Sequence, residues 1–192
     1  MQVETENLLK RIEVQRTRNI IITTIVGSII LAFYVLINIS LQDYTVAIYE
    51  TFCIFIFIYC LHLFLKNGYY DLPANLTVAV IATLAIHNFN TGGFDSTGLF
   101  WVFVLTSIIF YLKGKDAWRW VLLIHISIAI ISLMYIMGIK KLPYDIFTIG
   151  TFYLALATIS IFTYFYNATI DISLDSLKHK TYELEDTKLE LS

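Results

Sequence analysis

His87-Asn88-Phe89-Asn90-Thr91-Gly92-Gly93-Phe94-Asp95-Ser96-Thr97-Gly98-Leu99-Phe100-Trp101 is the longest polar, glycine-containing interruption in the apolar centre of this 192-residue chain. One hydrophobic run ends at it and another begins just after it. Gly92, Gly93 and Gly98 permit backbone angles and close approaches that other residues resist. Outward from this turn the sequence resolves into apolar runs joined by brief polar loops. Hydrophobic residues make up 58% of the chain and charged residues 15%, against about 25% charged in a soluble domain. A water-soluble fold of this size cannot hide so much apolar surface, so the composition predicts an integral membrane protein.

The runs are continuous rather than alternating, which selects helices over barrel strands. They fall at 19–40, 45–65, 72–90, 97–112, 118–138 and 145–168. Each approaches or exceeds the roughly 20 residues that cross a hydrocarbon core; the fourth is short and should stand upright or start inside the membrane. The expected fold is therefore an all-α membrane protein with six transmembrane helices. Short loops make sequence neighbours antiparallel spatial neighbours. Pro73 and Pro143 stand at run starts, where a missing N–H costs nothing, and Gly138 follows the fifth run as a stop signal. Asp95, in Asp-Ser-Thr before the fourth run, is placed to cap it.

With the N-terminus inside, eleven of the thirteen Lys and Arg residues are cytoplasmic and only Lys140 and Lys141 face out. The positive-inside rule then places both termini in the cytoplasm and the glycine turn outside. Trp118 and Trp120 fall at the cytoplasmic boundary as interfacial anchors. Residues 1–18 are polar and charged and carry no signal-peptide pattern. Leu8, Leu9 and Ile12 share one face beside Lys10, Arg11, Arg16 and Arg18, as in an amphipathic cytoplasmic helix.

The sixth run passes without a break into a charged helix. Ile170, Leu177, Leu184 and Leu191 recur every seven residues; taken as d positions, they put Asn167, Leu174, Thr181 and Lys188 at a. That is a coiled-coil seam with a polar a row, weak and tolerant of register change. Residues 169–192 are thus expected to form a signalling coil that dimerises the chain and continues into an output domain beyond Ser192.

The turn, from Thr91-Gly92-Gly93 through Thr97-Gly98 to Trp101, with Gly114 at the next turn, resembles the membrane sensor regions of bacterial diguanylate cyclases. There a Gly-Gly, a Thr-Gly and a Trp in this order lie between two membrane helices, and a short coiled coil leads to a GGDEF catalytic domain. The resemblance covers residues 19–192. It departs at Leu105-Thr106-Ser107, where relatives often carry a proline, and in lacking a second glycine after Gly114. It implies a homodimer in a bacterial inner membrane whose coil sets cyclase activity, with the enzyme outside this chain.

Ionisable residues inside spans are costly, so each is a functional candidate. His62 lies four residues from Lys66, about 6 Å inside helix two, and His125 six residues from Arg119, about 9 Å inside helix five. Two imidazoles at one depth are what a bis-histidine haem b requires, for redox or gas sensing; the plain alternatives are a snorkelling His62 and a His125 bonded to a neighbouring helix. Glu50 and His87 lie near the outer side and are expected either to pair structurally or to line an outward pocket with Asn88, Asn90 and Trp101. There the Gly92 and Gly93 backbone would offer N–H groups to an anion or carbonyl, and His87 is a further axial-ligand candidate. Cys53 and Cys60, about 10 Å apart along one helix, read as buried thiols beyond disulfide reach. No hydrolytic triad, phosphate loop, CxxC or HExxH occurs, and no basic run suits a nucleic acid. The leading expectation is a ligand-binding sensory input module, itself without enzymatic activity. A small proton-coupled transporter and a passive dimerising anchor are the alternatives.

Overall fold

The computed structural model describes residues 2–67, 71–93 and 97–190. The expectation that Asp95 caps the fourth helix lies outside these residues. The described chain is all helical: α1 Gln2–Ser40, α2 Tyr44–Asn67, α3 Asp71–Thr91, α4 Gly98–Lys113, a 3-10 turn Gly114–Ala117, α5 Trp118–Ile136 and α6 Ile146–Glu190. Five helical segments are long and apolar enough to cross a membrane: Thr17–Ser40 of α1, α2 up to Lys66, α3, α5 and Ile146–Ile170 of α6. The chain is thus a multi-pass membrane protein by length and composition. Helix α4, the fourth run, is shorter, at 16 residues or about 24 Å.

The observed boundaries follow from local chemistry. Asp43 accepts the Val46 N–H at 3.2 Å and so caps α2. Asp145 does the same for α6, accepting the Thr148 N–H at 2.9 Å and its hydroxyl at 2.7 Å. The Thr148 hydroxyl, then its N–H, holds the exposed Asp145 carboxyl below its usual range. Gly114 and Gly138, both at positive φ, end α4 and α5 and return N–H groups to Phe110 and Tyr135 carbonyls. Within the spans, hydroxyls of Thr24, Ser28, Thr51 and Thr158 bond the carbonyl four residues back, which satisfies them where lipid offers no partner.

Residues 2–18 form the first turns of α1, which runs 39 residues without a break. Nothing between Glu13 and Asn19 is a glycine or proline, so the change from polar to apolar composition is not a helix stop.

The chain divides into two compact units, Glu13–Thr83 and Met1–Ile12 with Leu84–Ser192. The first is built on the α1–α2 hairpin and the first part of α3. Its core holds Ile20, Leu31, Phe57, Phe64, Val78 and Ile81, with the free thiols Cys53 and Cys60 buried among them. Gly27 lets α1 close on the Phe57 ring; a β-carbon there would stand 3.0 Å from it. In the second unit α6 packs on α4, the 3-10 turn and α5, burying Phe89, Val102, Ile109, Ile124, Ile128, Phe152 and Leu156. Large apolar side chains also cover the exterior, Phe52, Phe55, Leu154 and Phe162 among them, as a lipid-facing surface requires.

Candidate functional sites in the two units

In the first unit Glu50 is 8% exposed. The turn at Leu41–Asp43 folds α2 back along α1, and across that hairpin the Asn38 amide donates to Glu50 Oε2 at 2.8 Å. Among the described residues no cation pairs with this carboxylate. The charged neighbour is Asp43, and Tyr49 and Cys53 are the other acidic groups on this side of α2. Asn38 was not legible as Glu50's partner from residue type alone. His62, further along α2, is exposed, the placement that a snorkelling imidazole needs.

The glycine turn belongs to the second unit. Gly92 and Gly93 have φ of 88° and 62°, the left-handed region that glycine alone enters freely. The Gly92 N–H closes the last turn of α3 on Asn88 O at 3.0 Å, the Gly98 N–H donates to Gly92 O at 2.6 Å, and the Gly93 N–H reaches Thr91 Oγ1 at 3.4 Å. These backbone groups are therefore engaged within the turn. Gly92 and Gly98 pack against the segment just before α6. A β-carbon on Gly92 would stand 2.6 Å from Pro143 Cγ, and one on Gly98 2.6 Å from the Tyr144 hydroxyl. Tyr144 is 7% exposed, with its ring 5.9 Å from Phe89 and its oxygen at the first turn of α4. Asn88 thus shares the turn with Gly92 and Gly93. His87 and Asn90 are half-buried on the last turns of α3, and Trp101 is half-buried and set edge-on to Phe100.

Burial pushes the Tyr144 phenol up to about 12. A raised folded pKa favours the neutral form. The stability it carries is whole below the unfolded value near 10 and is lost as pH rises toward about 12. Thermal unfolding in detergent between pH 9 and 12 is expected to fall more steeply for the native chain than for Tyr144→Phe. Equal slopes would refute this.

His125 lies half-buried on α5. Its Nδ1 is 2.8 Å from Val121 O. A carbonyl only accepts, so Nδ1 carries a proton, and in the neutral ring it is Nε2 that keeps the lone pair. The ring meets Tyr153 of α6 edge-on at 5.7 Å, and the Tyr153 hydroxyl makes a long 3.5 Å hydrogen bond to His125 O. On the adjacent α6 residue, Phe152, rest Phe89 at 5.7 Å and Phe103 at 4.9 Å. Consecutive residues of α6 therefore bring an α5 imidazole and an aromatic cluster from α3 and α4 to one level. Thr106, three residues beyond Phe103 and 1% exposed, has a hydroxyl without a hydrogen-bond partner among the described residues. Tyr153 carries no sequence signal that distinguishes it from the other tyrosines.

Compared with known proteins, the chain matches no family model, no characterised protein and no solved structure.

Proposed function

We propose that this chain is a transmembrane sensory input module whose ligand site centres on His125 and whose output passes along α6. The observation that carries the reading is the seating of the His125 imidazole on Tyr153 of a single 45-residue helix. At 1.5 Å per residue that helix is about 67 Å long, so it extends well past its membrane-spanning part. A shift of α5 against Tyr153 displaces a rigid rod, and a rod with two arrangements close in energy is what signalling requires. The output is a dimeric cytoplasmic domain beyond Ser192, a diguanylate cyclase by the sequence resemblance, with the protein in a bacterial inner membrane.

Haem b is the most concrete cofactor. His125 has the form of a metal-ligating histidine, with one nitrogen fixed to a carbonyl and the other presenting its lone pair, and aromatic rings surround its level. Bound there, haem would supply redox or gas-binding chemistry. His125 would hold the iron, with His87 of the same unit as the candidate for a second ligand. The test is the optical and mass spectrum of protein purified from haem-replete cells. A Soret band lost in His125→Ala is expected; a colourless preparation ends the haem version, and the mass spectrum then identifies any other co-purifying ligand.

A second reading, a small proton-coupled carrier, draws support from Glu50, a span-buried carboxylate without a cation among the described residues. Flux into proteoliposomes that Glu50→Gln abolishes would favour it.

A further inference from the structure

Helix α6 has two opposed apolar faces inside the membrane. One holds Ile149, Phe152, Leu156 and Ser160, all buried against the helix's own unit. The other holds Phe147, Leu154, Ile161 and Phe165, all exposed. Leu154 and Leu156, two residues apart, project about 200° from one another. Continued back into the span, the heptad row of the coil falls on the buried face: Ile170 leads to Thr163, Leu156 and Ile149, and Asn167 to Ser160 and Tyr153. A straight helix lags a strict heptad by about 20° per repeat. The drift from Ile149 to Ile170 is therefore about 60°, which keeps the row on one side of the rod.

From this we infer that a second copy of the chain meets α6 only below the membrane, from about Asn167 onward, and that the exposed in-span face is left to lipid. The inference rests on the dimeric-sensor reading and adds where the two copies join. Three observations select a second copy as the occupant. The coil row repeats apolar residues in a segment otherwise rich in charge. Asn167 stands at an a position, where a polar residue fixes the register of a two-stranded coil at some cost in stability. In the heptad register, Lys180 at g and Glu185 at e carry opposite charges at the spacing that pairs parallel strands. Inside the span the same row is already covered by α4, the 3-10 turn and α5, so a partner cannot reach it there. The face that senses the bundle and the face that grips the second copy are then one stripe. Any turn of α6 against α4 and α5 rotates the seam by the same angle.

The experiment is single-cysteine cross-linking of the full chain in native membranes, in a Cys53→Ala, Cys60→Ala background, with a membrane-permeant oxidant. Cysteines at Ile170 and Leu177 are expected to give disulfide-linked dimer, and those at Leu154, Ile161 and Phe165 to remain monomeric. Dimer through Leu154 or Phe165 overturns the inference and leaves the dimer reading standing. Monomer at every position, with the coil thiols still labelled by a water-soluble maleimide, overturns both.

Discussion

Gly98→Ala will cost the folded protein about 3 kcal/mol or more, at the top of the range for overpacking. The new methyl would stand against Asn88 O, the Gly92 carbonyl carbon and the Tyr144 hydroxyl. Two of those neighbours are backbone, and the turn that holds them is closed by the Gly98 N–H itself. No side chain can swing aside to make room, so α3, α4 or the segment leading into α6 must move. Gly92→Ala adds a left-handed φ to its clash with Pro143 and should behave similarly. Gly150→Ala is the control. Among the described residues nothing lies within 4 Å of its new β-carbon, and the helix gains up to about 1 kcal/mol of propensity. Unfolding midpoints in detergent decide the matter: a Gly98→Ala protein as stable as the native chain would show that the turn is not packed as described.

The second large effect lies at the α1–α2 clasp. Asn38→Leu removes the amide that donates to Glu50 Oε2 and leaves a buried carboxylate with no hydrogen bond among the described residues. Stranding a buried charged group costs about 3 kcal/mol. Glu50→Gln keeps a hydrogen-bonding partner for Asn38 and should cost under about 1 kcal/mol, and Asn38→Leu with Glu50→Leu should recover most of the loss, because removing both partners removes the stranded group. The cycle of single and double variants is therefore expected to be non-additive by more than about 1 kcal/mol. Additive losses would mean that the two side chains do not act as a pair.

The helices were legible because apolar composition and local stop signals agree. Pro73, Gly114 and Gly138 all stand where the sequence reading puts boundaries, and the short run at 97–112 is the short helix α4. The continuity of α1 was not legible, because a shift from charged to apolar residues changes the helix's surroundings without changing its backbone preference. Nor were the contacts of the candidate sites. Glu50 stood out as a lone carboxylate, but its hydrogen bond to Asn38 depends on how α1 and α2 register across their turn. The glycines were recognisable as a motif, yet their service to Pro143 and Tyr144 depends on a segment some 45 residues later in the chain. His125 was marked by its chemistry alone, and only the packing of α6 shows that it rests on Tyr153.

Helix α4 is several ångströms shorter than a typical hydrocarbon core of about 30 Å. If it crosses the bilayer, a rod of this length draws its flanking turns below the headgroups or pinches the leaflets toward each other. Sunk to that depth, Gly92, Gly93 and Gly98 would have no water for their amides, so the bonds these three make within the turn would become a condition of insertion. Membrane thickness would then bear on the segment that leads into α6, because Gly92 and Gly98 pack against Pro143 and Tyr144.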